Sequence, residues 1–418
     1  MKILIAADLH IGKNGFKTSN EKWAAPLVEL VDYAIENSVD AVAFAGDVQH
    51  RRNPTTWAAE FVHWQLGRLE EAGIDIFGTD GNHDDAVAAD SVSSSWHLPG
   101  TWARKTPDVV TTINRLDPDI NFVLLPWVTP QAYIDTYPTE TQAEDQKETL
   151  TALTLNEQLT VTQGIALKAI ANLRVPDAIN ILIGHAMVSY GPGAEDLAPS
   201  PGLQWAGKDV VFDYNTLAKG FDYVALGHVH DSRMKGFVGS SQPTDWGDAG
   251  QVKSFIELVV AESRLSPELV ALGYEYTRAG DHVCATKRIP YKTSLKLLDV
   301  QTVAGDWDKL YGDLEDIALA KYDVGRFKHH VPAGYDEPSA EKLATIRSNM
   351  EKLCDRVESI EVTKERTVVQ RVVTDTPLAV MDPGAAMKAW LRHSNIDAKT
   401  SARVRSKFDS LLETHSKK

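Results

Sequence analysis

Cysteine is nearly absent from this chain: two occur in 418 residues, Cys284 and Cys354, far apart and without metal-type spacing. That excludes a disulfide framework and a zinc–thiolate site, and makes a reducing cytosol the expected compartment. Long apolar runs are missing too; none approaches the ~18 residues that a membrane-spanning helix needs. The opening Met1-Lys2-Ile3-Leu4-Ile5 is interrupted by Asp8, too soon for a signal peptide, and reads as a buried first strand. Positive charge is scarce, with 43 Lys and Arg against 58 Asp and Glu and a formal net charge of −15. Tight, free-standing binding to nucleic acid draws on Lys and Arg, so this balance argues against it. A metal site stays open, because it uses carboxylates and its bound cations reverse the local field.

What is there suits a large soluble protein. Hydrophobic residues make up 43%, enough for a sizeable core, and the length fits two or three domains. Over the first 260 residues, short β-rich runs alternate with helical patterns, the mark of an α/β fold. The expected strands are Ile3–Ala7, Ala41–Ala45, Asp75–Gly78, Phe122–Leu125, Ile179–Ile183 and Tyr223–Leu226. Between them, Glu21–Asn37 and Pro54–Ala72 read as helices, Thr139–Arg174 as an inserted helical segment, and Ser189–Lys208 as a long loop. The pattern changes near residue 275. A strand Lys287–Val300, a helix with Trp307, Leu310, Leu314 and Ile317 on one face, a strand Val324–Val331, a helix Pro338–Val357 and a strand Ile360–Val373 form a smaller α+β unit. A last segment opens at Asp382-Pro383, an N-cap followed by a first-turn proline. Met387, Trp390 and Leu391 make one apolar stripe there, and Val404, Phe408, Leu411 and Leu412 a second. From Pro383 onward eight Lys and Arg face three Asp and Glu, a basic tail on an acidic chain. The expected organisation is residues 1–270, 275–373 and 380–418.

Five motifs follow expected strands: Asp8-Leu9-His10, Gly46-Asp47-Val48-Gln49-His50, Gly81-Asn82-His83-Asp84, Gly184-His185 and Gly227-His228-Val229-His230. In open α/β sheets ligands sit beyond the carboxyl ends of strands, so motifs spread over more than 200 residues should converge on one edge. Asp8 and His10 stand two apart on extended chain and can enter one site. Asp47 can bridge two cations, Asn82 offers a neutral carbonyl oxygen, and His185, His228 and His230 offer imidazole nitrogens. This mixture of oxygen and nitrogen ligands suits manganese or iron better than magnesium or thiolate-bound zinc. Singly, an Asp-x-His or a Gly-Asn-His-Asp is usually a turn and a Gly-His is weaker still; their ordered coincidence at strand ends favours a two-metal site.

Taken in order, the five motifs resemble those of the calcineurin-like metallophosphoesterase superfamily. Two features narrow the resemblance. His50-Arg51-Arg52-Asn53 stands where the protein-phosphatase branch has Asp-Arg-Gly, and Phe237-Val238-Gly239-Ser240 follows the last motif ahead of a strand bearing Glu257. Both are similar to the nuclease subunit of the SbcC–SbcD double-strand-break repair family, phage recombination endonuclease subunits included. The resemblance is strong over residues 1–260, rests on element order alone over 275–370, and on two amphipathic helices at the end. It implies an α/β phosphoesterase β-sandwich flanked by helices, a capping domain and a helical tail. It implies that Asp8, His10, Asp47 and His230 hold one metal and Asp47, Asn82, His185 and His228 a second, with manganese first and iron or magnesium as alternatives. His83 takes the catalytic position and His50 a second one near the phosphate. Asp84 either holds the His83 ring or caps a helix.

The implied activity is DNA exonuclease and endonuclease hydrolysis with an SMC-like ATPase bound through the C-terminal helices, as a homodimer within a heterotetramer, in the cytoplasm and away from membranes. Two readings compete with it. One is a stand-alone phosphodiesterase or phosphatase on non-DNA substrates; the other is an assembly subunit without chemistry, which the complete ligand set argues against. His63 reads as packing or surface, and the strand alternation at His329-His330 points one ring in and one out. Arg51-Arg52 suits a phosphate backbone or solvent equally.

Overall fold

The computed structural model describes residues 1–84, 101–110, 120–132, 153–190, 209–262, 267–279, 282–303, 321–365, 387 and 402–408. The helix expected around Trp307 and the segment around Trp390 lie outside them. The strands are β1 Lys2–Ala6, β2 Ala41–Ala45, β3 Asp75–Thr79, β4 Trp102–Ala103, β5 Asp108–Val110, β6 Ile120–Leu125, β7 Ile179–His185, β8 Met187–Ser189, β9 Val211–Asp213, β10 Tyr223–Gly227, β11 Ser254–Glu262, β12 Glu275–Ala279, β13 His282–Pro290, β14 Leu297–Val303, β15 Tyr322–Val331 and β16 Cys354–Lys364. The helices are α1 Asn20–Glu36, α2 Thr56–Glu71, α3 Leu155–Asn172, α4 Tyr214–Ala218, α5 Pro267–Ala271 and α6 Ala340–Leu353.

Two sheets carry the site. One has seven strands in the order β12-β13-β11-β1-β2-β3-β4, the other four in the order β10-β7-β6-β5. Central strands are apolar on both faces: all five residues of β2 and all six of β6 are buried. That follows from layering. Ile3, Ile5, Ala43, Phe77, Phe122, Ile181 and Ile183 form the core between the sheets. The opposite face of the larger sheet packs Leu4, Val42 and Phe44 against Leu27, Leu30 and Val31 of α1 and Val62 and Leu66 of α2. The opposite face of the smaller sheet packs Val123 and Leu182 against Ala166 and Ile170 of α3 and Leu217 of α4. The result is a β-sandwich with helices on both outer faces.

Local chemistry sets the helix starts. The Ser19 hydroxyl accepts the Lys22 amide at 3.2 Å and the Thr55 hydroxyl the Ala58 amide at 3.3 Å, capping α1 and α2. The Thr154 amide donates to the Glu157 carboxylate at 2.8 Å, so the inserted helical segment begins its described helix at Leu155. Of the single strand expected over Lys287–Val300, the structure makes two. Proline has no amide hydrogen to continue a ladder, and β13 ends at Pro290; the amides of Lys292 and Thr293 then donate to the Glu29 carboxylate.

By contacts the chain divides into two compact units. The first comprises residues 1–300, 313–327 and 344–360; the second comprises 301–312, 328–343 and 361–418. A three-stranded sheet has the order β14-β15-β16. Ile346, Met350 and Leu353 form the buried stripe of α6, and a side chain at Gly325 of β15 would collide with Met350 and Cys354. On β15 His329 is buried and His330 exposed, as alternation requires. Residues 402–408 are helical, with Val404 and Phe408 half-buried one turn apart.

Candidate metal centre

Parallel pairing aligns the strand ends. β1, β2 and β3 run parallel, as do β6, β7 and β10, so the chain leaves each set on one side. Asp8 follows β1, Asp47 follows β2, Asn82 lies three residues past β3, His185 ends β7, and His228 follows β10. The turns are tight. Asp8, His10, Asp47 and His228 all take left-handed backbone, with φ of 51°, 47°, 54° and 92°. Such conformations in non-glycine residues concentrate at functional sites. Two glycines make the approach feasible. A Cβ on Gly46, itself at φ 82°, would fall 2.3 Å from the His185 ring, and one on Gly81 2.0 Å from the Asp47 carboxylate.

All seven expected ligands come together in two groups sharing Asp47. In the first, His10 Nε2 and His230 Nε2 lie 3.1 Å apart, His230 Nε2 is 3.8 Å from Asp8 Oδ1, and His10 Nε2 is 3.8 Å from Asp47 Oδ2. In the second, Asn82 Oδ1 is 3.1 Å from both His185 Nε2 and His228 Nδ1, and His185 Nε2 is 3.6 Å from Asp47 Oδ2. An ion with bonds of about 2.1 Å separates neighbouring ligand atoms by roughly 3.0–3.4 Å in octahedral or tetrahedral geometry. The cage therefore fits cations. Its electrostatics agree. Asp8 is fully buried and burial lifts its carboxyl to about 8; burial, with the Asp84 and Asp8 carboxylates adding, holds Asp47 well above the usual carboxylate range. Burial drives His10 and His185 well below the ordinary imidazole value, His228 to about 4 and His230 to about 3. Neutral imidazoles and carboxylates without counter-charge are the state a divalent ion completes.

Two of the imidazoles are tied back through their second nitrogen. His185 Nδ1 bonds the Ala45 carbonyl at 2.9 Å, leaving Nε2 for the cage. His230 Nδ1 meets the Thr244 hydroxyl at 2.6 Å; the Thr244 hydroxyl and amide donate to Asp248 at 3.2 and 2.7 Å, and Asp248 pairs with buried Lys253 at 3.2 Å. Lys253 also donates to the His230 carbonyl at 3.1 Å. Trp127, two residues past β6, lays its ring 4.5 Å from that of His228 and 5.9 Å from that of His185. Sequence reasoning missed Thr244, Asp248, Lys253 and Trp127. Only Trp127 left a trace, as an aromatic just beyond a strand end on the edge where the motifs meet.

His83 and His50 stand at the rim of the cage. Their rings stack at 5.0 Å with planes 19° apart, and both meet His10 edge-on, at 4.8 and 5.5 Å. His83 Nδ1 bonds the His50 carbonyl at 2.8 Å, so Nε2 faces Asp47 Oδ2, 4.0 Å away. Among the described residues Asp84 makes no bond to the His83 ring, and the residues that a cap would serve lie outside them. Its buried carboxylate accepts the amides of Val48, Gln49 and Gly81 at 3.1, 2.8 and 3.1 Å, joining the loop after β2 to the loop after β3. Arg51, Arg52 and His63 are exposed.

This constellation, at the strand ends of a helix-flanked sandwich, defines a metal-dependent phosphoester hydrolase of the two-metal type. The family model described as calcineurin-like phosphoesterase matches residues 1–232, more than half of the chain, and the chain belongs to that family. Among solved structures, a dimetal phosphatase from Danio rerio matches at 13% identity and a TM-score of 0.38, over 70% of this chain and 99% of its own. No helix among the described residues is long and apolar enough to cross a membrane.

Proposed function

We propose that this chain is a manganese-dependent DNA exonuclease and endonuclease subunit that works on double-strand breaks or recombination ends with an SMC-like ATPase. The observation that carries the reading is His50, three residues after Asp47, stacked on His83 at the mouth of the cage. A histidine there, where the phosphatase branch has Asp-Arg-Gly, is the feature that resembles the break-repair nucleases. Asp8, His10, Asp47 and His230 would hold one ion, and Asp47, Asn82, His185 and His228 the other. When bound, the pair supplies Lewis-acid activation of the phosphodiester and of the attacking water.

The protein's own groups do the rest. The His50 carbonyl fixes His83 Nδ1–H and so directs Nε2 toward the reacting phosphate. From there the imidazolium form, with its second proton on Nε2, passes that proton to the leaving 3′ oxygen and is left as the neutral Nδ1–H ring; the side chain is about one-third exposed and within reach of substrate. His50, taken to about 4 by burial, is neutral near pH 7 and orients the phosphate or the DNA end as a hydrogen-bond donor. Val404 and Phe408, on one face of a basic helix, support docking of the tail on the ATPase, in a dimeric assembly. Two buried free cysteines, Cys284 and Cys354, agree with a reducing cytoplasm.

Incubation of end-labelled duplex and single-stranded DNA with manganese, with and without a candidate ATPase, tests the proposal. Products released from a labelled end support it, and ATP dependence identifies the partner. The net charge of −15 favours a second reading, a phosphodiesterase or phosphatase on non-DNA substrates. Hydrolysis of a nitrophenyl ester with intact DNA would establish that one instead.

A further inference from the structure

Between His10 and α1 the chain makes a tight loop that supplies none of the seven cage residues. The His10 carbonyl accepts the Lys13 amide at 3.0 Å and the Trp23 indole N–H at 2.9 Å, which turns the chain back directly beside the cage. Gly12 and Asn14 take left-handed backbone, with φ of 93° and 49°. Strained turns of this kind concentrate at ligand clamps. Beyond the turn, Phe16 sets its ring edge-on to Trp246 at 5.3 Å. Ile11 ties the loop to the one after β2: its amide donates to the Val48 carbonyl and its carbonyl accepts the His50 amide, both at 3.0 Å. Lys13 therefore stands next to the cage through His10 and next to the rim through His50.

The Lys13 side chain is half-buried. Burial lowers its pKa, and the carboxylates of Asp245 and Asp248 offset that only in part. Neither forms an ion pair with it among the described residues: Asp248 pairs with Lys253 at 3.2 Å, and Asp245 accepts the Gly247 amide at 2.6 Å. Burial first, and the Lys13 charge in addition, lower the pKa values of His10, His50 and His230, so one ammonium faces three rings at the mouth. The ions that the cage fits carry charge of the same sign, and what a half-buried cation beside them lacks is an anion. Lysine binds phosphate as a point charge. We propose that Lys13 is a substrate-binding residue, its ammonium holding a non-bridging oxygen of the phosphoester from the side of His10, His50 and His230. There it also meets the negative charge that gathers on the phosphoryl oxygens during attack. The inference rests on the two-metal phosphoesterase class of the site and applies to DNA and non-DNA esters alike.

The test uses the full chain loaded with manganese, as wild type, Lys13→Met and Lys13→Arg. Lys17→Met, at an exposed position of the same loop, controls for the change in net charge. Inorganic phosphate is the probe, titrated by calorimetry, with manganese content measured alongside. Lys13→Met should weaken phosphate by about 10–100-fold, the usual worth of a hydrogen bond to a charged group, at full manganese content. Lys13→Arg should recover most of the affinity, and Lys17→Met should match wild type. Unchanged phosphate affinity in Lys13→Met overturns the inference, and so does a fall that Lys17→Met shares. Loss of manganese from Lys13→Met overturns it too, by making Lys13 a support of the cage, as does a wild type that holds manganese and binds no phosphate. Inorganic phosphate carries no information on DNA, so the nuclease reading stands or falls separately, on the cleavage assay above.

Discussion

The two halves of the metal centre are held by different means. His185 is sealed inside the sandwich, with Nδ1 on the backbone carbonyl of Ala45, and Trp127 covers both it and His228. His230 depends on a chain of side chains, Thr244, Asp248 and Lys253. One half is therefore fixed by the strands themselves, and no substitution removes its anchor without moving β2. The other can be loosened by a single change of side chain. Metal affinity should therefore resist substitution on the first side and respond to it on the second.

Asp47 faces both halves, and Asp47→Ala should have the largest effect. Both ions should be lost by elemental analysis, with hydrolysis of any phosphoester falling to background. Next comes His83→Ala, which removes the proposed acid and leaves all seven cage residues in place. The turnover number should drop by about 10²–10⁴-fold at full metal occupancy; loss of metal would instead make His83 a ligand. Thr244→Val sharpens the comparison itself. Loss of such a supporting hydrogen bond typically lowers metal affinity by about 10–100-fold, and calorimetric titration should show one weakened ion and one unchanged. Equal weakening of both would contradict the division drawn above.

The smallest effect is one of pH. Burial raises the Asp8 carboxyl from its ordinary value to about 8, so its contribution to folding is fully present below about 4 and is lost as pH rises through 8. The metal-stripped chain should accordingly lose thermal stability between pH 6 and pH 8.5. Added manganese should reverse that trend, because the ion replaces the proton. His228 and His230 are shifted the other way, and stability from them falls away as pH drops below the ordinary imidazole value toward 4 and 3.

Much of this was readable in the chain because of where the residues stand. Every cage residue follows an apolar run short enough to be a strand, and parallel pairing carries those ends to one edge. The supporting residues had no such signature. Thr244, Asp248 and Lys253 occupy a loop between β10 and β11, where a Thr or an Asp reads as ordinary turn chemistry. Their function comes from a fold-level meeting with His230. The bonds from the amides of Val48 and Gln49 to Asp84 left no signal either, because those partners lie more than thirty residues away. The pairing of β11 with β1 was hidden for the same reason: antiparallel partners more than 250 residues apart leave no local trace.

The left-handed turns at Asp8, His10, Asp47 and His228 have a kinetic consequence. Backbone bonds that need no ion hold them, such as Asp8 to Gly46 at 3.1 Å and His10 to Asp47 at 2.9 Å. An arriving cation thus meets a finished receptacle. Its capture should then be paced by how fast the ion sheds its own water shell, which would rank sluggishly dehydrating magnesium behind manganese as a matter of speed.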